Sequence, residues 1–308
     1  MVDLLLDGAL LLLVIGVALW TIRAEDDFAA VIGYVGYGML LTLVWTRLAA
    51  YDIALTEAAI GSGVTGVILM RVAARLKSVP RGRPPIRARL IVGALSALIA
   101  AGLAAVVLLP LHPAPSLAES VRAHLPATGL GNPVAAVLMA YRAADTLLET
   151  VVVLLALFGV WSLGADERWR GRPTAASAGE ADGALTLFTR LLVPIGIVIA
   201  IYIVWVGATQ PGGKFQGATL LAAMWILAAT AGLVETPRID QPRLRWLLAA
   251  GPITFLLVGL AGIPLAGAFL AYPPSLAKPL ILIIEFPLTL SIAAMLALIV
   301  VGPPEHPP

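Results

Sequence analysis

Apolar runs of about 20 residues, separated by short polar stretches, fill the chain from end to end. They fall near 4–22, 28–46, 52–70, 90–111, 133–163, 188–208, 216–234, 246–271 and 279–302. The runs are apolar on all faces and lack period-2 alternation, so they predict helices rather than barrel strands. The expected fold is an all-α polytopic transmembrane protein with about nine spans. Two polar stretches divide it. Residues 77–89 are rich in Pro, Arg and Gly, and 164–184 form a linker bearing Gly, Ala and Ser. The second reads as a joint between a five-span and a four-span unit. After the fourth run, Leu117, Val121 and Leu125 recur at i, i+4 and i+8, which predicts a short interfacial helix with His124 on its surface.

Composition sharpens this picture. Of 308 residues, 60% are hydrophobic and 12% charged, about half the charged share of a soluble domain. A soluble enzyme is excluded. The chain has no cysteine, which rules out disulfides, thiolate zinc sites, cysteine-ligated clusters and a Cys nucleophile. His112, His124 and His306 all lie in polar segments, against a bis-His haem in the bilayer. No resident cofactor and no tightly bound metal are expected. The net charge of +2 does not point to nucleic acid, because the basic residues sit beside apolar spans. Residues 1–7 carry Asp3 and Asp7 and no basic residue, so the first run reads as a true span and not a signal peptide.

The basic residues also predict orientation. Arg71, Arg75, Lys77, Arg81, Arg83, Arg87 and Arg89 follow one another with no acid between, placing that loop in the cytoplasm. Alternating from there puts the N-terminus outside and the C-terminus inside. Fifteen basic residues then face the cytoplasm. Arg47, Arg122, Lys214 and Lys278 face outward, and Arg142 lies within a span.

Five charges fall inside spans, away from their edges: Glu57, Arg142, Asp145, Glu149 and Glu285. A charge at mid-bilayer costs about 3 kcal/mol or more, so such residues are functional candidates by default. Arg142, Asp145 and Glu149 are spaced i+3 and i+4, on one helix face. They suit either a titrating or cation-binding acid tuned by a guanidinium, or an ion pair fixing helix register. Glu57 follows Thr56 and precedes Gly61, Ser62, Gly63 and Gly66, where another helix packs closely. It holds a proton, pairs with Arg142, or serves as packing glue. Asp52 reads as a helix cap, with an outer-mouth site as the alternative. Glu285, two residues before Pro287, suits a cation site or an interface. Lys214 lies in a Pro/Gly-rich turn between the sixth and seventh spans, read as a tight re-entry. Gly33, Gly36 and Gly38, interleaved with Tyr34 and Tyr37, permit close packing or a π-bulge in the second span.

Three segments, in order, carry a family resemblance. Asp52 to Gly61 (DIALTEAAIG) resembles a signature of MbhD and of the C-terminal part of MrpA. Asn132-Pro133-Val134 with Tyr141 to Glu149 (YRAADTLLE) resembles MbhE and the end of MrpA. Tyr202 to Gly207 with Pro211 to Gly217 (PGGKFQG) resembles the turn of MrpB, MnhB and MbhF. The departures are Tyr51 for Pro, Ala143-Ala144 for Gly-Phe, and Lys214 and Ala218 for Gly. Lys214 replaces a residue that favours positive φ. Tyr34-Val35-Gly36 and Met39 are weakly similar to the NuoJ subunit of complex I, which marks the second span as a candidate hinge.

The resemblance implies an MbhD-like three-span unit over 1–76 and an MbhE-like two-span unit over 90–163. A cytoplasmic linker over 164–184 then leads to an MrpB/MnhB-like four-span unit over 185–308. It implies a non-catalytic subunit of an Mrp- or Mbh-type cation/proton antiporter complex in a prokaryotic inner membrane. Antiporter-like and small Mrp/Mbh subunits and the lipid bilayer would be its neighbours. Glu57, Arg142, Asp145 and Glu149 would line a Na⁺ or H⁺ path, with Asp52, Thr56, Lys214 and Glu285 as secondary candidates. The alternative is a structural or assembly subunit of a complex I-related complex. A stand-alone transporter is disfavoured, because 1–163 and 184–302 show no repeat.

Overall fold

A computed structural model describes residues 2–75, 85–109, 116–164, 171–173 and 183–303. Most of the Arg-rich loop, most of the 164–184 linker, His112 and His306 lie outside the described residues. All regular structure described is helical. The long helices are α1 (Val2–Arg23), α2 (Asp27–Arg47), α5 (Ile86–Leu108), α8 (Ala143–Ser162), α9 (Ala184–Val206), α10 (Lys214–Thr230), α11 (Pro242–Ala266) and α12 (Ala277–Val301). A further crossing is made of α3 (Tyr51–Thr56), a π-helical segment (Glu57–Val64) and α4 (Thr65–Arg75).

Eight helices among the described residues are long and apolar enough to cross a membrane. The expected seventh span differs: α10 has 17 residues, about 26 Å at 1.5 Å per residue. It packs between α9 and α12, burying Gly217, Ala218 and Ala222 among others.

The expected single helix over 133–163 is broken. α7 (Pro133–Ala136) runs into a π-helical stretch, Val137–Tyr141, and then Arg142 leaves helical geometry at φ −131°, ψ 40°. The widened turn has a local cause. Arg142 N–H donates to Val137 O, five residues back, at 2.8 Å. This frees Leu138 O, which the Thr146 hydroxyl takes at 2.7 Å. The Thr146 hydroxyl thus stands in for a backbone donor that the break displaces. Of the two readings of the glycines in the second span, close packing holds: α2 is a continuous α-helix, and a Cβ at Gly33 would lie 2.4 Å from Thr21 Oγ1 and one at Gly38 2.3 Å from Ser62 Oγ. The second π segment begins at Glu57 itself.

α12 is the most enclosed long helix, with Ile281, Ile284, Leu288 and Ile292 at its buried face. It is clasped by α11 through an inserted hydroxyl. Ser291 Oγ donates to Leu247 O at 2.6 Å and accepts from Gly251 N–H at 2.8 Å. Both groups sit in the turn before Pro252, where the α-helical ladder is already interrupted. By contrast, α5 has no buried residue and the core of α1 has none either. α1 is tied to α2 by Arg47, which donates to Asp7 at 2.9 Å and Asp3 at 3.3 Å. The helix expected near 117–125 exists as α6 (Ala118–His124), exposed, with His124 Nδ1 2.8 Å from Ser120 O.

Candidate ion site where three segments meet

Asp52 is not a cap. α3 starts at Tyr51 with Ala50 at its cap position and no side-chain cap bond. The Asp52 carboxylate instead gathers the other two motif segments. It accepts from Gly212 N–H at 3.0 Å and from Asn132 Nδ2 at 3.3 Å. Asn132 Nδ2 also donates to Gln210 O at 3.0 Å and Gly207 O at 3.3 Å. Its Oδ1 caps α7 by accepting from Val134 N–H. Gln216 Nε2 donates to Thr56 Oγ1 at 2.9 Å. Three stretches far apart in sequence therefore converge at one end of the bundle.

The glycine turn makes this possible. Gly212 and Gly213 have φ of 145° and 137°, which L side chains rarely adopt. A Cβ at Gly207 would lie 2.7 Å from Gly213 Cα, and one at Gly217 would lie 3.0 Å from Ala200 O. Lys214, expected to disturb this turn, does not. The positive φ values fall on the two glycines before it, and Lys214 begins α10 in helical geometry.

Beneath this knot lies a cavity of about 410 Å³, lined among others by Asp52, Thr56, Glu149, Lys214, Gln216 and Glu285. Lys214 and Glu285 are each 3% exposed, while Glu149 stands at the open flank on α8. Lys214 Nζ lies 3.4 Å from Met139 Sδ and 5.2 Å from the centroid of the Phe215 ring. Both are weak partners for an ammonium with three donors. Its electrostatic partners are Glu285 and Glu149, acting across the cavity. Glu285 Oε2 is buried and has no hydrogen-bond partner among the described residues. A cation at a helix N-terminus opposes the helix dipole, and burial adds desolvation. Two carboxyl groups lining the same cavity, Glu285 and Glu149, counter part of these costs.

The other expected residues lie elsewhere. Arg142 does pair with Asp145, at 2.6 Å, but their side chains are 71% and 53% exposed. The pair sits on the outer flank of the bundle and does not line the cavity, so the expected single face divides after Asp145. Arg142 is not the partner of Glu57. Glu57 turns toward α2, with Oε1 against Gly38 and Gly61, where a Cβ would lie at 3.1 Å and 2.4 Å. Buried Lys214 and Glu285 line the cavity, whereas Glu57, Arg142 and Asp145 do not. The signal was present in the intramembrane charge of Glu285 and the unusual Lys in a glycine turn. What hid it was the folding-back of α10, which carries a turn residue into the core.

The fold and the charged cavity define a multi-pass helical membrane protein with ionisable groups buried between its helices. Two family models match: MbhD, a subunit family of MBH, over residues 12–78, and a domain related to the MnhB subunit of Na⁺/H⁺ antiporter over 184–302. The chain thus joins an MbhD-like region and an MnhB-like region in one multi-pass membrane protein. An uncharacterized protein of Methanocaldococcus jannaschii is 32% identical over 158 residues, covering 45% of this chain and 59% of that protein. A Staphylococcus epidermidis protein named as an antiporter subunit (mnhA2) is 29% identical over 166 residues, 51% of this chain and 20% of that protein. The chain thus spans less than two thirds of each of these relatives. Its fold is shared with a chain of the Mrp complex from a Dietzia species, with a TM-score of 0.74 and 23% identity, covering 97% of this chain and 35% of that one. It is also shared with a chain of the membrane-bound sulfane sulfur reductase, an archaeal respiratory membrane complex. There the TM-score is 0.55 at 24% identity, covering 69% of this chain and 96% of that one.

Proposed function

We propose that this chain is a subunit of a multi-subunit Mrp- or Mbh-type cation/proton antiporter complex and supplies part of the ion path. In this reading it has no catalytic centre, and the only species transferred is the cation itself. The N-terminus and the Asp52 end face outward, following the basic residues. Residues 90–163 act as the MbhE-like unit between the two matched domains. The observation that carries the reading is the cavity lined by buried Lys214 and Glu285, with Glu149 at its open flank. Apolar interiors reject such groups unless they face a partner or a wet path. Glu57 forms a separate station, and its π-helical setting supports this, since π-bulges concentrate at functional sites.

A second reading, assembly subunit alone, is favoured by the exposed Arg142–Asp145 pair and the unburied α1 and α5, which suit neighbouring subunits. One experiment separates the two. Glu149→Gln and Asp145→Asn are each introduced into the assembled complex, and proton movement in vesicles is normalised to complex abundance. An ion path predicts that Glu149→Gln loses flux per complex, while Asp145→Asn lowers abundance. Unchanged flux per complex in Glu149→Gln leaves the assembly reading standing.

A further inference from the structure

Lys214 is placed like a ligand rather than like a turn residue. It is 3% exposed, its direct partners are a thioether and a ring face, and its charge acts on Glu285 and Glu149 across the cavity they share. Glu285, equally buried, lines the same cavity, and its Oε2 has no hydrogen-bond partner among the described residues. Asp52, the remaining titratable group of the lining, is committed to Gly212 and Asn132. The cavity that these carboxyl groups line therefore also holds an amino group, covalently attached to the chain.

We propose that the Lys214 ammonium is a tethered cation that occupies the cation position between Glu149 and Glu285, so that this cavity exchanges protons and excludes Na⁺. The proposal rests on the ion-path reading for its role in transport, but the occupancy of the cavity is read independently of it. A free Na⁺ entering the cavity would meet a fixed positive charge at close range in a medium of low polarity, which weakens its binding by about tenfold or more. A proton meets no such obstacle. It leaves Lys214 as an N–H bond breaks and joins Glu285 or Glu149 as an O–H bond forms. The ammonium becomes an amine, the carboxylate becomes an acid, and the net charge of the pair is unchanged. Water in the cavity bridges the gap between donor and acceptor.

The test is carbodiimide labelling of the assembled complex in native membranes, with and without Na⁺, read by mass spectrometry at Glu149 and Glu285. In the wild type, Na⁺ is expected to leave the labelling rate unchanged at both. In Lys214→Ala and in the bulkier Lys214→Met, Na⁺ is expected to slow labelling about tenfold or more, because the vacated position accepts the free cation. Lys214→Arg, which keeps the charge, is expected to stay insensitive to Na⁺. Protection of the wild type by Na⁺ overturns the proposal, and this arm needs no variant to fold. Lack of protection in both Lys214→Ala and Lys214→Met also overturns it. Labelling reads occupancy without transport. If protection follows the expected pattern while Glu149→Gln retains full flux, the ion-path reading falls and the tethered cation stands.

Discussion

The Asp52 carboxylate accepts a hydrogen bond from the Gly212 amide at 3.0 Å, joining residues 160 positions apart. These two residues belong to separately matched domains, over 12–78 and 184–302. The bond therefore fastens the two halves of a fused chain at the rim of the charged cavity. Its acceptor is a carboxylate, and hydrogen bonds to charged groups are worth about 1.5–3 kcal/mol.

Removing that acceptor should loosen the junction. Asp52→Ala leaves the Gly212 amide unpaired and removes one of the acceptors of Asn132 Nδ2. The expected loss is about 2–4 kcal/mol, seen as a lower melting temperature of the detergent-solubilised complex. Asp52→Asn should fall between, since its oxygen still accepts from Gly212 while its amide opposes that of Asn132. An Asp52→Ala variant that melts with the wild type would contradict the tether.

The cavity should be wet. A chain without cysteine allows single thiols to be read against a silent background. Val153 lines the cavity, whereas Ile284 is fully buried in the core. Val153→Cys is expected to react with a membrane-impermeant thiol reagent, and Ile284→Cys to stay unmodified. Equal protection of both positions would show a dry site.

Tyr272, in the loop between α11 and α12, tests burial outside the spans. Its phenol is pushed up to about 12 by desolvation, and its buried oxygen has no hydrogen-bond partner among the described residues. The folded state thus holds the proton more tightly than the unfolded chain. The phenol's contribution is fully present below pH ~10 and is lost as pH rises from there toward ~12. Tyr272→Phe should remove this alkaline loss and stabilise the protein by about 1 kcal/mol at neutral pH. Alkaline melting curves of the two proteins should diverge between those values. Parallel curves would contradict the buried phenol.

Much of this architecture is legible in the sequence, for physical reasons. Spans announce themselves because lipid demands about 20 apolar residues in a row. The three motif segments also mark where the chain converges, through Asp52, Asn132 and Gly212. What the sequence conceals is direction. The spacing of Arg142, Asp145 and Glu149 assumes an unbroken helix, but Arg142 stands at the break and only Asp145 and Glu149 share α8. Arg142 and Asp145 end on the flank while Glu149 reaches the cavity. Asp52 resembles a cap because its helix starts one residue earlier, yet its oxygens serve partners 80 and 160 residues away. Lys214 reads as a turn residue because only the fold shows that the turn dips into the core.

The most direct measurement is proton movement by the assembled complex carrying Glu285→Gln, in vesicles, at matched complex abundance. Glutamine keeps the shape of the buried side chain but neither holds a transferable proton nor offsets the charge of Lys214. If the cavity lies on the ion path, flux per complex falls about tenfold or more. Flux equal to the wild type in a fully assembled Glu285→Gln complex would contradict it.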